Sequence, residues 1–302
     1  MRLTVRDIQK MKANHEPIPV ITAYDAPSAR LSEAAGIPII LVGDSLGMVV
    51  QGHDTPVPVK LEHMIYHASI VSRVTTRPLI VGDLPFMTYS VSIEQALSNA
   101  ARLMQEGGVG VVKLEGGEAF APTIARLVTA GIPVMAHIGL LPQSVNQVGG
   151  MRVQGRDIEG ARQLLRDAQA VQDAGAFAVV LESMPSELGR MITEQLTIPT
   201  IGIGAGLFCD GQVQVFHDIM GMFEDFIPRH TRRYAETGKT IREAVAAYAD
   251  DVKARRFPTD ENSFTLKDDV LNALYGDGKG ALNGSVEQSH HDAQQSKIVA
   301  SS

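Results

Sequence analysis

Five apolar runs in this chain stop at side chains that can do chemistry. PIILVGDS (residues 38–45) ends in Asp44 and Ser45, and PLIVGDLPF (78–86) carries Asp83. GVGVVKLEGG (108–117) carries Lys113 and Glu115, PVMAHIG (133–139) carries His137, and AFAVVLES (176–183) carries Glu182. Each has an ordinary alternative. An acid after a strand often caps the next helix by accepting free backbone N–H groups. A lysine can lay its stem along apolar surface, and a single histidine can be a satisfied core residue. Recurrence on five successive runs favours chemistry. If the run ends meet, three carboxylates in one place repel one another, and a divalent cation together with a lysine relieves that repulsion. Asp44, Asp83 and Glu115 are therefore the expected metal ligands. Oxygen donors without cysteine favour Mg²⁺, with Mn²⁺ as the alternative, over zinc.

A hard cation with open positions suits the carboxylate and keto group of a 2-oxo acid. As a Lewis acid it draws density from the keto oxygen and acidifies the neighbouring C–H. Lys113 and the Ser45 hydroxyl are expected to hold the substrate carboxylate beside Asp44 and Asp83. His137 is expected to hydrogen-bond the developing enolate oxygen. Glu182 is the expected base, since a carboxylate arriving behind AFAVVL sits in apolar company that raises its pKa. Its alternative is a cap before MPSEL. The residues alone lead to metal-dependent enolisation of a small oxo acid, and the second substrate is not readable from spacing.

The elements that must position these groups follow from the same runs. Near-continuous Val/Ile-rich segments of this length are how strands buried on both faces look. Two further runs, PIPVITAYD (17–25) and TIGIGAG (200–206), have the same character, and GQVQVFHDI (211–219) is a weaker eighth that mixes in polar residues. Between runs lie helical patterns such as SIEQALSNAARLMQEGG and DIEGARQLLRDAQAVQDAGA, with apolar residues at i, i+3, i+4 and glycine near the end. Repeated strand-then-helix predicts an α/β fold, and eight units predict a (β/α)8 TIM barrel, whose chemistry sits at the C-terminal strand ends. A doubly wound sheet is the alternative. It fits less well because GIGAG, with Gly202, Gly204 and Gly206, is followed by Leu207 where a dinucleotide loop needs its last glycine. These glycines are read as a tight turn or a close approach of backbone to a ligand.

Composition narrows the partners. The net charge of −7 disfavours nucleic acid and anionic membranes, which need clustered positive charge. A single cysteine, Cys209, excludes an internal disulfide and a cysteine-based zinc site and points to a reducing, cytoplasmic setting. No apolar run reaches the length of a transmembrane helix, and no apolar core follows the basic MRLTVRDIQKMK as a signal peptide requires. The 302 residues divide into an expected single catalytic barrel over 1–265 and a C-terminal extension over 266–302. From Gly276 that extension is rich in Gly, Ser, Gln and Asn and is expected to be disordered, lacking apolar surface to offset its ordering entropy. The pair His290–His291 within it is read as solvated.

The segments themselves resemble the 3-methyl-2-oxobutanoate hydroxymethyltransferase (ketopantoate hydroxymethyltransferase) family. Matching stretches are ITAYD (21–25), LVGDSLGMVVQGHD (41–54), DLPFM (83–87), VKLEGG (112–117), HIGLLPQS (137–144), GGMRVQGR (149–156), LESMP (181–185), IPTIGIGAG (198–206) and DGQVQVFHD (210–218), in family order. The resemblance implies a (β/α)8 barrel of the phosphoenolpyruvate/pyruvate type, Mg²⁺, and a homo-oligomer, commonly a decamer. It implies transfer of the one-carbon unit of 5,10-methylenetetrahydrofolate to 3-methyl-2-oxobutanoate, giving 2-dehydropantoate on the way to pantothenate and coenzyme A. By motif, it makes Asp44 a metal ligand beside substrate-binding Ser45, and Asp83 a ligand of metal and substrate. It makes Lys113 a ligand of the oxo acid, Glu115 a metal ligand, Glu182 the proton acceptor and His137 a neighbour of the keto oxygen. The chain departs from the family at Leu141, commonly Thr, and at Arg229–His230 in FIPRH, which places the folate site or a subunit contact in question.

Two other readings compete. Another enzyme of the same barrel class could make or break a C–C bond at a 2-oxo acid without folate. A barrel serving only as a scaffold predicts a broken acid set, whereas Asp44, Asp83, Glu115, Lys113 and Glu182 are all present.

Overall fold

The computed structural model describes residues 1–223 and 227–275. The chain divides into two units, residues 1–240 and the residues from 241 onward, of which 241–275 are described. In the first unit eight parallel strands close into a barrel in chain order. They are β1 (Ile18–Thr22), β2 (Ile39–Val42), β3 (Leu79–Asp83), β4 (Val111–Glu115), β5 (Val134–Gly139), β6 (Ala178–Glu182), β7 (Thr200–Ile203) and β8 (Gly211–Gln214). All eight apolar runs are strands. The eighth stops at Gln214, and the residues after it form a short helix, Phe216–Ile219.

Two cores follow from the period of two along each strand. Ile39, Leu41, Leu79, Val81, Val111, Met135, Val180 and Ile203 pack together in one cluster, with Ile8 of the N-terminal helix Val5–Ala13 among them. The alternate residues Ile40, Val42, Ile80, Val112, Leu114, Ala136, Val179 and Leu181 pack with helix residues such as Met64, Leu103, Ile124 and Ile192. The first set fills the barrel interior and the second joins barrel to helices. Truncating a buried Leu or Ile of either set to Ala costs about 2–5 kcal/mol.

Local signals place the helices. In helix Ile93–Gln105 the side chain of N-cap Ser92 accepts from Gln95 N–H, and in helix Ile158–Asp173 that of Asp157 accepts from Gly160 N–H. Both satisfy backbone donors that the first turn leaves free. The strand-then-helix alternation fails once. No helix separates β7 from β8. The connection from Gly204 to Asp210 is long enough because an extended chain spans about 3.3–3.6 Å per residue, so it can return along two short strands. The GIGAG glycines belong to this turn: Gly204 and Gly206 have φ of +68° and +87°, and a Cβ on Gly206 would lie 2.1 Å from Ser186 Oγ.

In the second unit most of helix Thr237–Lys253 carries Ile241, Val245, Tyr248 and Val252 at helical spacing, and Tyr248 meets Phe257 edge-on. The extension from 266, expected to be disordered, contains a helix, Asp268–Tyr275, in its first part. Val270, Leu271 and Leu274 recur on one side of it, and Asp268 and Asp269 complement the free N–H groups of its first turn. Averaging composition over the whole extension hides this stretch. The remainder, including His290–His291, lies outside the described residues.

Candidate active site

The strand parity that builds the interior also aims the functional side chains. Asp83 is two residues beyond Val81, Lys113 and Glu115 two and four beyond Val111, His137 two beyond Met135, and Glu182 two beyond Val180. Each therefore continues an inward-facing row. Register then sets neighbours: Asp83 lies beside Lys113, Glu115 beside His137, and Gly139 beside Glu182. All five, with Asp44 and Ser45 from the end of β2, line one cavity of about 440 Å³. Its remaining wall includes Met48, Leu140, Val180, Ile203 and Val213.

The helix-cap alternatives do not hold. Helix Leu46–Val49 begins at Ser45 and helix Ser186–Gln195 at Pro185, neither with a side-chain cap bond. Asp44 instead accepts a hydrogen bond from Gln143 Nε2 at 2.7 Å, and Asp83 Oδ2 accepts one from Asp44 N–H at 3.1 Å. Lys113 Nζ donates to Asp83 Oδ1 at 2.5 Å, with both side chains buried. His137 Nε2 lies 3.3 Å from Glu182 Oε2 and Nδ1 lies 3.6 Å from Glu115 Oε1. Neither contact has hydrogen-bond geometry, so both ring nitrogens are buried without a partner. We read the two contacts as electrostatic proximity. A histidine left unsatisfied beside two acids is the opposite of a satisfied core histidine, because a buried polar group normally finds a partner.

Charge is unevenly met here. Among the described residues Lys113 is the one buried lysine or arginine, set against buried Asp44, Asp83 and Glu115. Burial, and next the charge of Asp83, pushes the Asp44 carboxyl up to about 7. Burial, and next Asp44, pushes Glu115 well above the usual carboxylate range. Burial disfavours the Lys113 ammonium, but the charges of Asp83, Glu115 and Asp44 outweigh it and hold its pKa above the ordinary value. His137 is pushed down by burial and by Lys113, so the imidazole is neutral near pH 7.

Among the described residues no group of three or more His, Cys, Asp or Glu side chains stands ready to hold a metal ion. The donor set fits a hard cation all the same. Mg²⁺ is usually held by one or two carboxylates while waters and substrate fill the other positions, rather than by an all-protein cage. Asp44 and Asp83 are linked directly, and Glu115 accepts from Gln143 N–H at 3.0 Å. Burial and then the neighbouring negative charges raise Asp44 and Glu115, and a cation would offset the charge part.

Three contributors escape sequence reasoning. Tyr24, fully buried, places its hydroxyl 2.7 Å from Ser45 Oγ. Gln143 and Tyr89 connect the acids from behind the cavity wall. Tyr24 and Gln143 lie within ITAYD and HIGLLPQS, but nothing in their spacing announces these partners. Of the departures from the family pattern, Arg229 and His230 line the same cavity as Glu182.

An eight-stranded parallel barrel with acids and a lysine at its C-terminal mouth defines the class. The fold is shared with 2,3-dimethylmalate lyase, a PEP mutase/isocitrate lyase superfamily member, at TM-score 0.53 and 16% identity over 98% of this chain and 99% of that one. It is also shared with phosphonopyruvate hydrolase in complex with oxalate and Mg²⁺, at TM-score 0.55 and 13% identity over 91% and 96%. The chain belongs to the ketopantoate hydroxymethyltransferase family, whose model matches residues 2–260, and is thus of an enzyme family. Relatives called 3-methyl-2-oxobutanoate hydroxymethyltransferase include that of Chloroflexus aggregans, 58% identical over 91% of this chain and 98% of its own. That of Dehalococcoides mccartyi is 54% identical over 91% and 98%. Among the described residues no helix is long and apolar enough to cross a membrane.

Proposed function

We propose that this enzyme transfers a hydroxymethyl group from 5,10-methylenetetrahydrofolate to 3-methyl-2-oxobutanoate, giving 2-dehydropantoate, with Mg²⁺ held by Asp44, Asp83 and Glu115. One observation carries the reading: Asp44, Ser45, Asp83, Lys113, Glu115, His137 and Glu182 all open onto a single cavity of about 440 Å³. That size admits a small oxo acid, and Leu140, Val180, Ile203 and Val213 offer its branched alkyl group an apolar wall. Bound there, the ion supplies Lewis-acid polarisation of the keto oxygen.

The chain's own residues do the rest. The Lys113 ammonium and the Ser45 hydroxyl, the latter oriented by Tyr24, bind the substrate carboxylate. Glu182, partly exposed to the cavity at 14% of its side chain, takes the C3 proton. Neutral His137 has a ring N–H without a partner to give to the oxygen on which negative charge develops. The resulting carbanion equivalent forms the new C–C bond to the one-carbon unit, and water supplies the hydroxyl group. Both C–N bonds of the donor break so that tetrahydrofolate leaves, its nitrogens protonated by the water and by the proton taken from C3. Arg229 and His230, this chain's departures from the family pattern, lie on the same wall and are open either to the folate donor or to a subunit contact. A homo-oligomer, commonly a decamer in the family, working in the cytoplasm, completes the proposal.

Turnover is the test. With purified full-length protein and Mg²⁺, 2-dehydropantoate should form from the oxo acid only when methylenetetrahydrofolate is supplied. Equal product from free formaldehyde, or equal use of unbranched oxo acids, would reassign the enzyme to a folate-independent carbon–carbon bond reaction.

A further inference from the structure

Gln143 sits in the 3-10 turn Pro142–Ser144 just beyond β5, is buried to 4% exposure, and does not itself line the cavity. Both ends of its side-chain amide and its backbone N–H are engaged. Its side-chain Nε2 donates to Asp44 Oδ2 at 2.7 Å and to Leu84 O at 3.1 Å. Its Oε1 accepts from the Tyr89 hydroxyl at 2.9 Å, and its backbone N–H donates to Glu115 Oε2 at 3.0 Å. Tyr89 closes the circuit, accepting from the Glu115 backbone N–H at 3.2 Å. Its single proton has two acceptors in reach, Gln143 Oε1 and the more distant Glu115 O at 3.1 Å.

These contacts determine which way the amide points. Turned over, its oxygen would face the Asp44 carboxylate and the Leu84 carbonyl, setting acceptor against acceptor at two places, and its NH₂ would lose both. Buried groups left in that state cost about 1–3 kcal/mol each. The amide is therefore held with its donors toward Asp44. The bonds fall on Oδ2 of Asp44 and Oε2 of Glu115, and the other oxygens, Oδ1 and Oε1, accept no hydrogen bond among the described residues.

We propose that Gln143 is the positioning residue of the ion site, clamping Asp44 and Glu115 from behind so that one oxygen of each is left free for the cation, with Tyr89 locking the clamp. This rests on the magnesium reading above. Gln143 is neutral and cannot take a proton, so it favours the ionised carboxylates without competing for the cation.

The test is calorimetric titration of Mg²⁺ into full-length protein holding 3-methyl-2-oxobutanoate, with thermal unfolding as a control. Gln143→Met keeps length and burial but removes every side-chain hydrogen bond, and is expected to bind Mg²⁺ about 10–100-fold more weakly, as loss of a partner behind a metal ligand does. Raising Mg²⁺ should restore most of its turnover. Tyr89→Phe frees the amide and is expected to shift affinity in the same direction by a smaller factor. Wild-type Mg²⁺ affinity in Gln143→Met would overturn the assignment even if that variant melted earlier, because a purely structural role moves stability alone. If Gln143→Met does not fold, unchanged affinity in Tyr89→Phe overturns it instead. Absence of Mg²⁺ binding by the wild-type protein would remove the magnesium reading and this proposal together.

Discussion

Lys113 on β4 and Asp83 on β3 stand side by side in the barrel, Nζ to Oδ1 at 2.5 Å, with neither side chain more than 5% exposed. A buried pair of this kind is costly to break, about 3–5 kcal/mol when one partner is removed, because the survivor keeps its charge without compensation. Here Lys113 also faces Asp44 and Glu115, so one ammonium serves several acids. In the proposed reaction the substrate carboxylate competes for that ammonium, which would tie substrate binding to the charge of the proposed ion site.

Asp83→Asn removes a negative charge but retains an oxygen near Lys113. Activity is expected to fall at least about a hundredfold, with weaker Mg²⁺ binding, as loss of a charged ligand does. Steady-state kinetics across Mg²⁺ concentrations is the check, and full activity at low Mg²⁺ would remove Asp83 from the site.

Glu182→Gln should spare binding of the oxo acid while slowing exchange of its C3 hydrogen with solvent deuterium by about 10²–10⁴-fold, the usual contribution of a positioned base. Proton NMR of the oxo acid in D₂O with enzyme and Mg²⁺ measures this without the folate donor. Exchange at the wild-type rate would make a water or another side chain the base.

Asp44, raised from 3.8 to about 7, makes the ion site pH-sensitive. Between those values the folded, metal-free protein holds a proton that the unfolded chain has lost. Its contribution to stability is therefore present at low pH and lost as pH rises through about 7. The same proton must leave before the cation binds. Mg²⁺ affinity should thus rise at least about tenfold per unit as pH climbs toward neutrality, and Glu115, also raised, adds to the rise. Calorimetry over this range, with Asp44→Asn as reference, decides the matter, and a flat profile in the wild type would detach Asp44 from the ion.

Gly139 closes β5 with φ of +99°, and a Cβ there would lie 2.2 Å from the carbonyl oxygen of Glu182. Gly139→Ala must push β6 away at Glu182, the proposed base. The backbone strain alone costs about 1–3 kcal/mol, and turnover is expected to drop with stability. Urea unfolding alongside kcat measurement checks both, and unchanged values in either would show that the two strands tolerate separation.

Much of this was legible in the residues. Seven near-continuous apolar runs carry most of the barrel because strands buried on both faces read as short Val/Ile-rich segments. The eighth, GQVQ, alternates buried residues with exposed or half-buried ones and is the weakest of the set. The candidates Asp83, Lys113, Glu115, His137 and Glu182 could be picked out because each falls at the end of an apolar run. Strand parity, a local property, then sends each the same way as the residue two earlier, Val81 for Asp83 and Val180 for Glu182. The missing helix between β7 and β8 and the helix Asp268–Tyr275 were not legible, since the first is a matter of reach across the barrel and the second was masked by the polar composition around it.

What the chain's order of residues determined by itself was the kind of groups delivered to one end of the barrel, because side-chain direction repeats along each strand without reference to any other. Only the tertiary structure decided how those groups share charge and hydrogen bonds. The Tyr24–Ser45 contact, the neutral and unsatisfied His137, and the bridge from Gln143 to Asp44 join positions far apart along the chain. Such links depend on distances of a few ångströms set by barrel closure and loop packing, and no local periodicity encodes them.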